Sequence, residues 1–217
     1  MHHSISNGPY HATLDFVLEQ DEEVLAEPDV MLAMSPNIEI LVKIPPPNAE
    51  RWWGSAPMSM VGERIFTATF RAKDESGVLS LAPRLPGNIL HLPITQDRSF
   101  YLSPSCFLAS TSGVSIIFKQ AGLRGVLSRK GLNVLETQGA GDVFCSVYGA
   151  LVVRELAEDE SFVIDNRFVV AFSDSVQLQL VRASKDLAVG AYPGGGLFNQ
   201  YTGPGTVFYQ TRANQLT

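Results

Sequence analysis

One phrase recurs three times along this chain, and it limits the fold more tightly than any other feature. Met31-Leu32-Ala33-Met34-Ser35 returns as Phe107-Leu108-Ala109-Ser110-Thr111 and again as Val169-Val170-Ala171-Phe172-Ser173. The three alanines are spaced by 76 and 62 residues. Extended without a gap, the alignment superposes Pro9 to Val42 on Leu85 to Phe118 and on Val147 to Leu180. Apolar columns agree: Val24 with Phe100 and Phe162, Val30 with Cys106 and Phe168. Few residues are identical, but the pattern of apolar and turn positions persists, which is the mark of an internal triplication.

What recurs is a strand pattern. Ile38, Ile40 and Val42 alternate with polar or outward positions, as do Val114, Ile116 and Phe118, and then Val176, Leu178 and Leu180. Period-two alternation places one face of a strand in a core and the other toward water. Eighteen glycines and thirteen prolines punctuate runs that rarely exceed eight residues, and long helical periodicity is nearly absent. The fold class read from this is all-β, as three tandem β-sandwich or double-stranded β-helix-like units with pseudo-threefold repetition.

The second half of each unit repeats as well. Gly131 to Phe144 matches Gly195 to Phe208 at a constant spacing of 64, and Ile65 to Leu81 is a looser counterpart in the first unit. Gly87, Gly139, Gly141, Gly203, Pro204 and Gly205 read as turn residues, and the two Gly-x-Gly pairs read as hairpins. The expected units are 9–84, 85–146 and 147–217, within one compact body that permits strand exchange between units. A β unit of about 70 residues is marginal by itself and exposes sheet edges. Fusion pairs those edges, and a closed ring would leave none.

Composition narrows the function classes. Hydrophobic residues are 45% and charged residues 18%, with mean hydropathy of +0.09. That suits a sizeable core and excludes wholesale disorder. No run reaches the ~18 apolar residues of a membrane helix, so no membrane span is expected. The start of the chain has neither a secretory nor a transit pattern, which reads as cytoplasmic. Sixteen basic against 22 acidic residues disfavour nucleic acid as a partner. Arg124, Arg129, Lys130, Arg182 and Lys185 do not recur at one column of the repeat.

No catalytic, cofactor or metal residues are expected, and no cofactor. The histidines are His2, His3, His11 and His91. His2 and His3 receive no role, and His11 and His91 fall at different repeat columns, without the spacing of a metal site. His11 with Asp15 shares a strand face, but ~13 Å apart. Cys106 occupies an apolar column and Cys145 alternates with Val143 and Val147, so both read as small core residues in a reducing compartment. There is no Gly-x-Ser-x-Gly elbow. The glycines of 190–196 neither follow a clear strand nor open a helix, so they read as a turn rather than a phosphate cradle. Trp52 and Trp53 follow Pro45-Pro46-Pro47. They read equally as an interface anchor or as a pin holding this excursion to its own sheet.

Several phrases resemble the altered inheritance of mitochondria family, also called the mitochondrial biogenesis family. They are Leu85-Pro86-Gly87-Asn88-Ile89, Phe107-Leu108-Ala109-Ser110, Gly139 to Phe144, and most specifically Thr202 to Arg212. The stretch around Trp52-Trp53 departs from the family pattern. The resemblance implies a fold like the tryptophan RNA-binding attenuator protein, with three β units per chain, and a homotrimer of nine units. It supplies no catalytic residues. The function expected is a non-enzymatic oligomeric β scaffold that binds a partner protein or small ligand. The alternatives are a cupin-like small-molecule enzyme or sensor, and an RNA-binding ring.

Overall fold

The structure is a computed structural model that describes residues 1–42, 68–121, 132–182 and 197–213. Trp52, Trp53, the three prolines, Arg124, Arg129, Lys130, Lys185 and the glycines of 190–196 lie outside the described residues. The chain is almost entirely β, as its alternating pattern requires.

Four sheets account for the described strands. The first runs in the order β1 (His2–Ser6), β2 (Thr13–Leu18), β7 (Gly77–Leu81), β4 (Met31–Met34). The second runs β5 (Ile38–Val42), β6 (Ala68–Ala72), β3 (Glu23–Ala26), β10 (Phe107–Thr111), β13 (Gly141–Tyr148), β8 (Gly87–Ile94). The third runs β11 (Val114–Ala121), β12 (Leu132–Gly139), β9 (Phe100–Leu102), β16 (Val169–Ser173), β19 (Gly205–Gln210), β14 (Leu151–Leu156). The fourth runs β15 (Ser161–Ile164), β18 (Leu197–Thr202), β17 (Gln177–Arg182). Neighbouring strands are antiparallel throughout these ladders.

One pairing order recurs. β2-β7-β4, β8-β13-β10 and β14-β19-β16 are built alike, as are β5-β6-β3, β11-β12-β9 and β17-β18-β15. Single 3-10 turns at Pro28–Val30, Pro104–Cys106 and Asn166–Phe168 lead into β4, β10 and β16. Their spacings are the 76 and 62 residues that separate the three alanines.

Three apolar cores lie between successive sheets. The first joins Leu14, Phe16, Leu79 and Leu81 of the first sheet to Val24, Ala26, Phe70, Leu108, Ala109 and Phe144 of the second. The next gathers Leu90, Leu92, Val143 and Cys145 with Phe100, Leu102, Leu135, Val170 and Ala171. The last gathers Leu156, Val169, Phe172 and Val207 with Ile164 and Tyr201. A central strand feeds two cores, because successive side chains point to opposite faces. Thus Phe144 enters one core while Val143 and Cys145 enter the next.

The expected hairpins across Gly139–Gly141 and Gly203–Gly205 do not form. β12 lies in the third sheet and β13 in the second, and β18 and β19 likewise lie in different sheets. The reason is that both edges of each strand are already taken. β12 pairs with β11 and β9, whereas β13 pairs with β8 and β10. The chain therefore turns a corner from one sheet to the next. Gly139 makes that corner at φ +104, where an added Cβ would sit 2.3 Å from the Gly113 carbonyl oxygen. Gly87 opens β8 instead of forming a turn. There a Cβ would meet the Val147 carbonyl oxygen at 1.8 Å, so only glycine permits the close approach.

Candidate functional site: two open edges and a histidine cluster

The second and third sheets are each made by one strand joining two halves. In the second, β3 pairs with β10, matching Ala26 to Ala109, Leu25 to Ser110 and Val24 to Thr111. In the third, β9 pairs with β16, matching Leu102 to Ala171, Tyr101 to Phe172 and Phe100 to Ser173. Both joins have the same register under the repeat alignment. Each is fastened outside the ladder too. The Glu27 N–H donates to the Leu108 carbonyl (3.1 Å), and the Ser103 N–H donates to the Val170 carbonyl (2.8 Å).

The strand that receives each join is bulged. β10 against β13 shifts register between Phe107 and Ala109, and β16 against β19 shifts between Val169 and Ala171. The bulged residues Leu108 and Val170 are both fully buried. A bulge re-aims a side chain locally, and here it turns an apolar group into the neighbouring core.

β4 has the same bulge against β7, between Met31 and Ala33. Its bulged residue Leu32, however, is 60% exposed. Met31 and Met34 are exposed as well, and β4 ends its sheet. β15, which occupies the position of β3 and β9 in the pairing order, ends the fourth sheet, with Val163 exposed. On the outer face of the first sheet, Val17 and Val78 add further exposed apolar surface. One receiving edge and one donating edge are thus left without a strand beside them among the described residues.

The histidines are differently arranged from the sequence expectation. His3 lies opposite Phe16 in the β1–β2 ladder, and His91 opposite Phe144 in the β8–β13 ladder. Both histidines therefore point into the gap between the first and second sheets. Asp142, two residues before Phe144, shares that face. His91 Nε2 lies 2.6 Å from Asp142 Oδ1. The imidazoles of His3 and His91 meet edge to face at 4.8 Å, and His91 stacks on Phe144 at 5.0 Å. The ligand atoms of His3, His91 and Asp142 all lie within 4.8 Å of one another, the one such group of metal-capable side chains among the described residues. Burial holds the His3 pKa below its ordinary value, opposed by the Asp142 carboxylate and aided by His91 and His2.

His11 and Asp15, the other pair considered, each have partners elsewhere. Asp15 accepts a hydrogen bond from the Ser80 hydroxyl, and His11 makes a parallel bridge to Gly87. Cys106 and Cys145 are buried, and burial raises the Cys145 thiol well above its usual range. A thiol held protonated is a poor nucleophile. Sequence reasoning missed the His3–His91–Asp142 group because its members come from three strands far apart in the chain. The signal available was slight: Asp142 follows the Gly139–Gly141 corner, and His91 stands where the other units carry Asp15 and Val153.

Fold and site together define an all-β protein in which one sheet-pairing order recurs, with an edge at each end of that order that has no strand beside it among the described residues. Residues 3–212 match the family described as mitochondrial biogenesis AIM24, and the chain belongs to that family. It is 26% identical over 160 residues to an uncharacterised protein of Streptococcus pyogenes serotype M6, covering 73% of this chain and 63% of that one. The chain therefore spans less than two thirds of that relative's length. Its fold is similar to the X-ray crystal structure of another Streptococcus pyogenes protein, with a TM-score of 0.75 at 22% identity. That likeness covers 98% of this chain and 94% of the other. No helix among the described residues is long and apolar enough to cross a membrane.

Proposed function

We propose that the chain is a non-enzymatic β scaffold of three successive units, 9–84, 85–146 and 147–217, that assembles with copies of itself edge to edge. In this reading β15 of one copy pairs with β4 of the next. The supporting observation is the difference between Leu32, 60% exposed, and its two counterparts Leu108 and Val170, fully buried under the same bulge. The repeat alignment fixes the register. Ile164 would pair with Ala33, Val163 with Met34 and Phe162 with Ser35, and the Asp165 N–H would donate to the Leu32 carbonyl.

Such a contact is heterologous, because a donating edge meets a receiving edge. Repetition of a heterologous contact yields either a ring or an open filament. A ring of three copies is the form that the family resemblance implies, and closure removes every edge of this kind. Trp52 and Trp53 are an additional interface anchor or a pin for their own segment. The two buried cysteines suit a reducing, cytoplasmic compartment. The bound partner of the scaffold is a protein or a small molecule.

Light scattering on the purified full chain tests this. The expected mass is three times the 23.6 kDa of one chain. A monomer at micromolar concentration would remove the reading.

A further inference from the structure

We propose that His3, His91 and Asp142 form a binding site for a divalent first-row transition ion, with Zn2+ as the principal candidate. Two imidazoles and one carboxylate are the donors that such ions take, and three protein ligands leave a coordination position for water or a small ligand. Zinc holds these donors at roughly 2.0–2.2 Å. Ligand atoms already within 4.8 Å of one another require only side-chain adjustment to reach that arrangement. His91 and Asp142, now joined by a 2.6 Å hydrogen bond, would turn their facing atoms onto the ion.

The surroundings suit this use. The His91 ring stacks on Phe144, and the His3 ring meets the same phenyl edge to face at 4.9 Å. Phe144 packs edge to face on Phe16 beneath them. Aromatic walls fix both imidazoles beside the Asp142 carboxylate. His91 and Asp142 are each about one-third exposed, so an ion has access from solvent.

The place in the fold is distinctive. β1 precedes the repeated stretch and has no counterpart in the recurring pairing order among the described residues. The site exists only where β1 adds a histidine to the gap between two sheets. At the columns equivalent to His91, Asp15 is held by Ser80 and Val153 is an exposed apolar residue. A bound ion would tie β1 of the first sheet to β8 and β13 of the second, beyond the ladder that β1 shares with β2.

The test uses the full chain without a histidine tag, stripped with chelator and titrated with Zn2+ by calorimetry. Co2+ serves as a spectroscopic substitute. One ion per chain is expected, with visible Co2+ bands of a low-coordinate nitrogen–oxygen site and a raised melting temperature. His91→Ala and Asp142→Asn should each weaken Zn2+ binding about a hundredfold or more, since outer-shell partners alone cost 10–100-fold. Asp142→Asn is isosteric and decides the matter if His91→Ala fails to fold. No saturable binding at equimolar Zn2+ overturns the proposal. So does binding that survives both of those changes and disappears only with His3→Ala, which would assign it to the N-terminal segment alone.

Discussion

β4 and β10 are paired and bulged alike but differ in their surroundings. Each follows a 3-10 turn that begins at proline, each is bulged at its second residue, and each pairs along one side with the strand that completes its half-sheet. β10 has β3 along its other side and is buried almost throughout. Among the described residues β4 has no neighbour there, and it is exposed throughout. Yet β4 carries Met31, Leu32 and Met34, which are residues suited to a covered strand. An edge exposed to water is ordinarily protected by charge, proline or shortness. β4 is short, but its side chains are apolar, and its difference from β10 lies in what stands beside it.

The sharpest way to break the comparison is to place one charge at both bulges. Leu108→Asp buries an unpaired carboxylate in the first core, and the variant is expected not to fold. Deleting that side chain with Leu108→Ala alone costs about 2–5 kcal/mol. Leu32→Asp is expected to fold with the melting curve of an isolated chain, because the side chain faces water there. It should run as a monomer in light scattering. A Leu32→Asp protein that keeps its assembled mass places the interface elsewhere.

A smaller effect is expected at the donating edges. Leu25 and Tyr101 stand at the middle of β3 and β9 and pack against the next core. Val163 has the corresponding position on β15 and is 49% exposed. Leu25→Ala should therefore destabilise the single chain. Val163→Ala should leave it unchanged and weaken association about tenfold, for a loss of roughly 1–1.5 kcal/mol. Sedimentation across a dilution series reads the second, and a denaturant melt reads the first. Equal destabilisation by both would mean that Val163 already packs inside one chain.

The strands were legible in the sequence because burial imposes a period of two, and Val114, Ile116 and Leu102 obey it. Their partners were less so. The Gly139–Gly141 corner has the composition of a hairpin turn. The difference is set by β9, β11, β8 and β10 occupying all the edges, which is a tertiary condition and leaves no local signature. The histidine cluster was hidden for a related reason. A ligand set held on one helix or in one loop has a spacing, but His3, His91 and Asp142 meet only after two sheets stack. Exposure of Leu32 was equally invisible, since its sequence is that of a buried residue.

The smallest expected effect concerns the residues preceding the 3-10 turns, Glu27 at a filled join and Asp165 at an open one. Burial raises the Glu27 pKa above 4.5, assisted by Asp29 and opposed by Arg84. A carboxyl whose folded pKa is raised contributes stability only while protonated, and this is lost as pH rises through the folded value. Glu27→Gln should therefore be more stable than the parent at pH 7, by under about 1 kcal/mol, and no different at pH 4. Asp165 has the opposite sign. Its hydrogen bonds from the Arg167 side chain, and then from the Arg167 N–H, hold its pKa below 3.8 against burial. That stability is present above the unfolded pKa and is lost as pH falls through the folded one. Asp165→Asn should cost half a kcal/mol or less at pH 7, about the range of a screened surface pair, and nothing near pH 2. Denaturant midpoints of the isolated chain, in the Leu32→Asp background, measure both without interference from assembly. The same sign at both positions would mean that the filled and open joins do not differ in local burial, and the distinction between them would then rest on Leu32 alone.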